Sequence, residues 1–193
     1  MKGMTNVFGE LDIKDRWNLK IIKVESHEVK SYTPIGMAYV MMRNASFESK
    51  DISLSYKYGC VNTRDTFTIE CEEDSSACIV DFPGLSLLET RIFIQECLDM
   101  GNLSYMDGGT NTTAINPGRL GDPVINYVHF PAPMYQTLHT HPSHRVGLVI
   151  RGNGKIELDN KEYYDVNEGE IFFMRRNCLH NFICEDEDVV VFV

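Results

Sequence analysis

Residues 139–180 read HTHPSHRVGLVIRGNGKIELDNKEYYDVNEGEIFFMRRNCLH, and the punctuation of this stretch decides the fold. Arg145 to Arg151 is a short apolar run ended by Gly152-Asn153-Gly154. A run of that length bounded by turn residues reads as a strand. Lys155 to Leu158 and Glu162 to Val166 flank the polar pair Asp159-Asn160, which reads as a hairpin. Glu168-Gly169 then turns the chain into Ile171-Phe172-Phe173-Met174. Working outward, Val124 to Phe130 follows Gly121-Asp122-Pro123, while Asn181 to Cys184 and Val189 to Val193 complete the set. About seven strands thus fall within roughly 70 residues, with no space for a helix longer than a turn. Strands so short and so closely spaced predict an all-β barrel or sandwich.

The preceding half is β-rich as well. Leu19 to Val24, Met37 to Met42, Ile52 to Tyr56, Thr66 to Glu70 and Ala77 to Phe82 read as strands. Ser86-Leu87-Leu88-Glu89 has the pattern of a helix capping box, with Gly101 as a closing residue, yet Thr90 to Ile94 is β-branched and aromatic. The strand is the preferred reading there, since its neighbours are strands. Asp107 to Thr113, with the turns at Asn116-Pro117-Gly118 and Gly121-Asp122-Pro123, reads as loop and as the seam between halves. Residues 1–118 are therefore expected to form a β-rich half, either extending the same sheets or making a degenerate second barrel, and residues 119–193 the barrel.

Composition narrows the partners. The 193 residues carry a formal charge of −10, which disfavours nucleic acid and anionic membranes. No apolar run approaches the ~18 residues of a membrane span, and the charged first twenty residues lack a signal-peptide core. The expected location is the cytoplasm. The six cysteines, Cys60, Cys71, Cys78, Cys97, Cys178 and Cys184, form no CxxC pair and read as reduced, mostly buried thiols. Asn44, Asn102 and Asn111 open N-x-Ser/Thr triplets, expected to be bare in an unsecreted chain. No P-loop, G-x-S-x-G elbow or strand-flanked GxGxxG is present.

Five of the six histidines lie between residues 129 and 180. His139-Thr140-His141 on an extended segment puts both imidazoles on one face, which fits a metal pair or a solvated, hydrogen-bonded pair. The surroundings resemble the cupin superfamily over roughly residues 122–193. Its first motif, His-x-His, a short gap, an acidic residue, six more and a glycine, is matched by His139, His141, position 145 and Gly152. Its second motif is matched by Gly169 and His180, with Arg175 in place of the usual proline and Asn177 in place of the second glycine. Pro133 likewise replaces the glycine that opens the first motif. The resemblance implies a jelly-roll barrel, a metal held by His139, His141 and His180, and a homodimer. The resemblance does not cover residues 1–118, where His27 is the only histidine and no pair occurs, so no metal site is expected there.

The main departure is Arg145, which stands where the family has its glutamate ligand. A guanidinium has no lone pair to give, so the donor set is three neutral imidazoles. Such a set suits one divalent transition metal: Fe(II) is the leading expectation, with Zn, Ni, Mn or Cu as alternatives. With no carboxylate to offset the ion, an inward Arg145 adds positive charge and calls for an anionic small-molecule substrate. Arg145 could instead face outward and pair with surface carboxylates, and the histidines could be a relic without metal. Three-histidine cupins of this kind include thiol and gentisate-type dioxygenases, in which an arginine holds the substrate carboxylate. The resemblance therefore points to a non-haem Fe(II) dioxygenase for a carboxylate-bearing or aromatic metabolite, with Arg145 in the catalytic site. A metal-dependent isomerase or lyase and a non-catalytic ligand-binding cupin are the alternatives. Strand parity leaves His144 outside the site, His129 reads as structural, and Cys178 and Cys184 share the inward parity of His180.

Overall fold

Period-two alternation governs most of the chain in the computed structural model of the protein, which describes residues 3–15, 18–87, 89–96 and 100–193. In chain order the first strands are β1 (Met4–Asn6), β2 (Glu10–Ile13), β3 (Leu19–Val24), β4 (Val29–Tyr32), β5 (Met37–Ser49), β6 (Ser53–Thr63), β7 (Phe67–Phe82) and β8 (Arg91–Gln95). They are followed by β9 (Leu103–Ser104), β10 (Thr110–Ile115), β11 (Ile125–Phe130), β12 (Met134–Tyr135) and β13 (Arg145–Arg151). The last are β14 (Gly154–Leu158), β15 (Tyr163–Val166), β16 (Ile171–Met174), β17 (His180–Cys184) and β18 (Val189–Phe192). Among the described residues no helix is long and apolar enough to cross a membrane.

The chain forms two compact units. The barrel unit comprises Met1–Asn6, Leu98–Thr113 and Asn126–Val193, and the second unit Val7–Cys97 with Ala114–Ile125. One break near residue 118 does not describe this arrangement, because β1 and β9 form the two edges of the barrel's larger sheet. The expected loop at residues 107–113 also gives way, from Thr110 onward, to β10, whose threonines suit an extended backbone.

In the barrel unit the larger sheet has the order β1-β16-β13-β18-β11-β10-β9 and the smaller β12-β17-β14-β15. Alternate residues of both fill one core, with Val128, Phe130, Val149 and Phe172 from the larger and Ile156, Leu158 and Phe182 from the smaller. Phe182 stacks on Phe130 at 4.4 Å and meets Phe172 edge-on at 5.8 Å. Burying each ring of this size stabilises by roughly 1.5–3 kcal/mol. Gly147 pairs with Phe172 across the strands, and a Cβ there would fall inside the Phe172 ring. Gly152 meets a different need, with a left-handed φ of 80° that lets the chain turn into β14.

The second unit is a sheet of order β2-β3-β7-β5-β6-β8, with β4 also paired to β7. The two strands expected at Thr66–Glu70 and Ala77–Phe82 are one, since β7 runs unbroken from Phe67 to Phe82. The polar stretch between them is a kink instead of a turn. Asp74 has φ 54°, Asn44 on β5 has φ 51°, and the pairing slips between Arg43 and Ala45. Arg43 holds the kink by donating to the Asp74 carboxylate at 2.8 Å. One end of β7 pairs with β4 and the other with β3, around a core that includes Val40, Phe47, Phe67 and Ile79. Arg91–Gln95 is a strand paired to β6. The helical alternative drew partly on Leu88 and residues 97–99, which lie outside the described residues.

Cys60, Cys71, Cys78 and Cys184 are buried free thiols, Cys178 is half-buried, and Cys97 lies outside the described residues. Burial pushes Cys71 up to about 12 and Cys184 to about 11, which leaves them protonated and unreactive.

Candidate metal centre

β17 begins at His180 and pairs on one side with β14, setting Leu158 opposite His180. On its other side the pairing with β12 continues past Tyr135, through Gln136 N–H to the Phe182 carbonyl at 2.9 Å. It resumes at His139, whose N–H and carbonyl both bond to His180, at 2.9 and 3.0 Å. Two residues on, the His141 carbonyl accepts from Asn177 N–H at 2.7 Å. Asn177 sits at φ 58°, a left-handed conformation that asparagine tolerates better than most residues. The sequence placed His139 and His141 on a strand. The structure gives them an isolated bridge at His139 instead, and the backbone bonds to β17 and its preceding turn set their direction.

The outcome is convergence. One ring nitrogen from each of His139, His141 and His180 lies within 4.8 Å of the other two. His139 Nδ1 is 2.9 Å from the Thr137 carbonyl and His180 Nδ1 2.8 Å from the Cys178 carbonyl. Carbonyls only accept, so both Nδ1 atoms carry hydrogen, and in each ring Nε2 is the atom left to give a lone pair to a metal. Burial, then the Arg145 charge, pulls His141 down to about 3. Burial also takes His180 to about 4, against the opposing bond to the Cys178 carbonyl. Both are neutral near pH 7, as ligation requires.

The nitrogens of His139 and His141 are 3.2 Å apart. Bonds of ~2.1 Å to one ion at tetrahedral or octahedral angles put two nitrogens roughly 3.0–3.4 Å apart. The donor set therefore suits a transition-metal ion, with the His139–His141 spacing already in that range.

Arg145 opens β13 opposite Met174, on the same inward parity as Gly147 and Val149. It lines a cavity of about 260 Å³ together with the three histidines, Tyr105, Asn111 and Gln136. Apolar walls come from Val128, Phe130, Phe172, Met174, Phe182 and Val191. Among the described residues no aspartate or glutamate lines this cavity. Among the described residues the polar contact of the Arg145 guanidinium is to Ser143 Oγ at 3.2 Å, with no carboxylate paired to it. Burial draws its pKa below the usual arginine range. The cavity is thus cationic within a chain of charge −10.

The other candidates stay outside. His144 accepts from Arg176 N–H at 3.1 Å and packs on Phe173. His129 bonds to the Asp188 carboxylate at 2.9 Å. Cys184 lies in the core and Cys178 packs against it, neither lining the cavity. Sequence reasoning missed Tyr105, Asn111 and Gln136. Asn111 lay in a stretch read as loop. Gln136 could not be found by alternation, because the inward parity breaks between Gln136 and His139, where Thr137 is pinned to the Asp107 carboxylate at 2.6 Å.

Residues 122–192 match the model of the AraC-like ligand binding domain. Among solved structures, a protein of unknown function of the DUF861 family from Pseudomonas syringae is similar at TM-score 0.63 and 14% identity, over 97% of this chain and 83% of that one. A cupin 2 conserved barrel domain protein from Leptotrichia buccalis has TM-score 0.60 and 14% identity, over 98% of this chain and 86% of that one. Vicilin from Solanum lycopersicum follows the same path at TM-score 0.55 and 8% identity, over 92% and 73%. No curated protein matches the sequence. These likenesses show the fold, which is all-β and of cupin type.

Proposed function

We propose that the barrel holds one divalent transition metal on His139, His141 and His180, takes a small anion beside it on Arg145, and with Fe(II) acts as a dioxygenase on a carboxylate-bearing or aromatic metabolite. The observation that carries this reading is three imidazoles converging on a cavity in which, among the described residues, Arg145 is the one lysine, arginine, aspartate or glutamate. When bound, Fe(II) would supply the open coordination positions and the redox chemistry needed to engage oxygen.

The chain's own residues have separate tasks. The Thr137 and Cys178 carbonyls hold the Nδ1 protons of His139 and His180 and so aim the opposite nitrogens. Arg145 offers a planar fork of donors that suits a carboxylate bidentately. Phe130, Phe172 and Phe182 exclude water from the remaining space, which strengthens that pair.

A second reading is a non-catalytic ligand-binding cupin, favoured by the match of residues 122–192 to an AraC-like ligand binding domain. Elemental analysis of protein purified without chelators tests the choice. Iron near one atom per chain, with oxygen uptake on adding a substrate acid, supports the dioxygenase. Zinc or nickel would move the assignment to isomerase or lyase chemistry. A metal-free protein that still binds anions would establish the second reading.

A further inference from the structure

Gln136 has 0% exposure and lines the cavity beside the three histidines. Its Oε1 accepts from the Phe182 N–H at 3.3 Å, and its own N–H donates to the Phe182 carbonyl at 2.9 Å. The Phe182 N–H can only donate, so the amide cannot be turned end for end without losing that bond. Nε2 is thereby left buried with no partner. A second orphan lies on the same cavity, since Asn111 Oδ1 is buried and unpartnered. Unpaired buried polar atoms are costly, and a ligand that pairs them is favoured over one that does not.

A plain hydrocarbon acid would occupy Arg145 and leave both amides unpaired. An acid with a hydroxyl or keto oxygen gives the Gln136 NH2 an acceptor, and a hydroxyl also offers Asn111 a donor. We infer that the cavity takes a small carboxylic acid bearing a second, uncharged oxygen, and that Gln136 Nε2 is the group that selects for that oxygen. This rests on the reading that the acid lies beside the metal with its carboxylate on Arg145.

The test is calorimetric binding of matched acids to the iron-loaded protein under argon: lactate against propionate, malate against succinate, mandelate against phenylacetate. In at least one pair the hydroxy acid should bind at least about tenfold tighter, since sites built around a hydrogen bond reject analogues that lack it. Gln136→Met keeps the side-chain length, and Gln136→Glu keeps the acceptor for the Phe182 N–H; both lose the donor. In whichever variant melts like wild type, the preference should shrink to within about threefold. Three results overturn the inference: wild type binding both members of every pair alike, a variant keeping the wild-type ratio, or no binding of any acid at millimolar concentration. Metal content, measured on the same samples, separates this from the parent reading. Metal bound without a hydroxyl preference sinks the inference alone. A Gln136-dependent preference in protein that binds no metal sinks the metal site and leaves the role of Gln136 standing.

Discussion

His139 and His180 face each other across two mutual backbone hydrogen bonds of 2.9 and 3.0 Å, so their alignment does not depend on either imidazole. Removing the His180 ring should therefore leave the bridge in place while taking away one of three ligands. His180→Ala is expected to keep a cooperative melt and to bind metal at least about 100-fold more weakly. Metal analysis after dialysis checks this. Wild type should approach one ion per chain; retention of full occupancy in the variant, or two ions in wild type, would count against the site.

Arg145 is the cavity's fixed cation. Losing a charge-assisted pair to a bound carboxylate costs on the order of 2–5 kcal/mol, or roughly 30-fold to several thousand-fold in affinity. Arg145→Leu is expected to weaken acid binding by that factor with metal content nearly unchanged. Unaltered acid binding by the variant would refute the role.

Acid should destabilise the metal-free protein in a defined window. His141 and His180 lie at about 3 and 4 in the folded chain, below the 6.5 of a free imidazole. Below pH 6.5 the unfolded chain takes up these protons first, so stability falls as pH falls and levels off above that value. Urea midpoints of chelator-treated protein between pH 7 and about 5 should show the slope, in a range above most carboxylate titration. A His141→Gln/His180→Asn double variant should flatten it. An equal slope in both proteins would assign the acid sensitivity elsewhere.

Gly147→Ala tests the wall. The new methyl must displace the Phe172 ring, and overpacking of this kind costs about 1–3 kcal/mol. Phe172 lines the cavity, so the variant should also lose acid affinity while its three histidines still take up metal. A melt and an acid affinity both equal to wild type would show that the ring yields freely.

Sequence patterning was most informative where apolar runs are bounded by glycine turns. Arg145–Arg151 and Ile171–Met174 fall where short apolar runs and the glycine turns beside them placed them. Motif spacing singled out the three histidines that the structure groups within 4.8 Å, and Asn177, where a glycine was expected, takes a left-handed φ of 58°. Patterning was weaker where tertiary partners decide. Glu72 to Ser76 has the composition of a turn, yet Arg43 binds Asp74 and keeps one strand continuous. Gln136 depends on a parity break fixed by Asp107, nearly thirty residues earlier, and no local pattern could report it.

The edge strand Met4–Asn6 is paired with Phe172 to Met174, about 170 residues further along the chain. During synthesis those first residues emerge long before their partner exists. At ~5–20 residues per second the wait is roughly 8–35 s, during which the segment that carries Met4 has no sheet to join. Closure of this edge therefore waits until Phe172 to Met174 have been made, however early the segment bearing Met4 emerges.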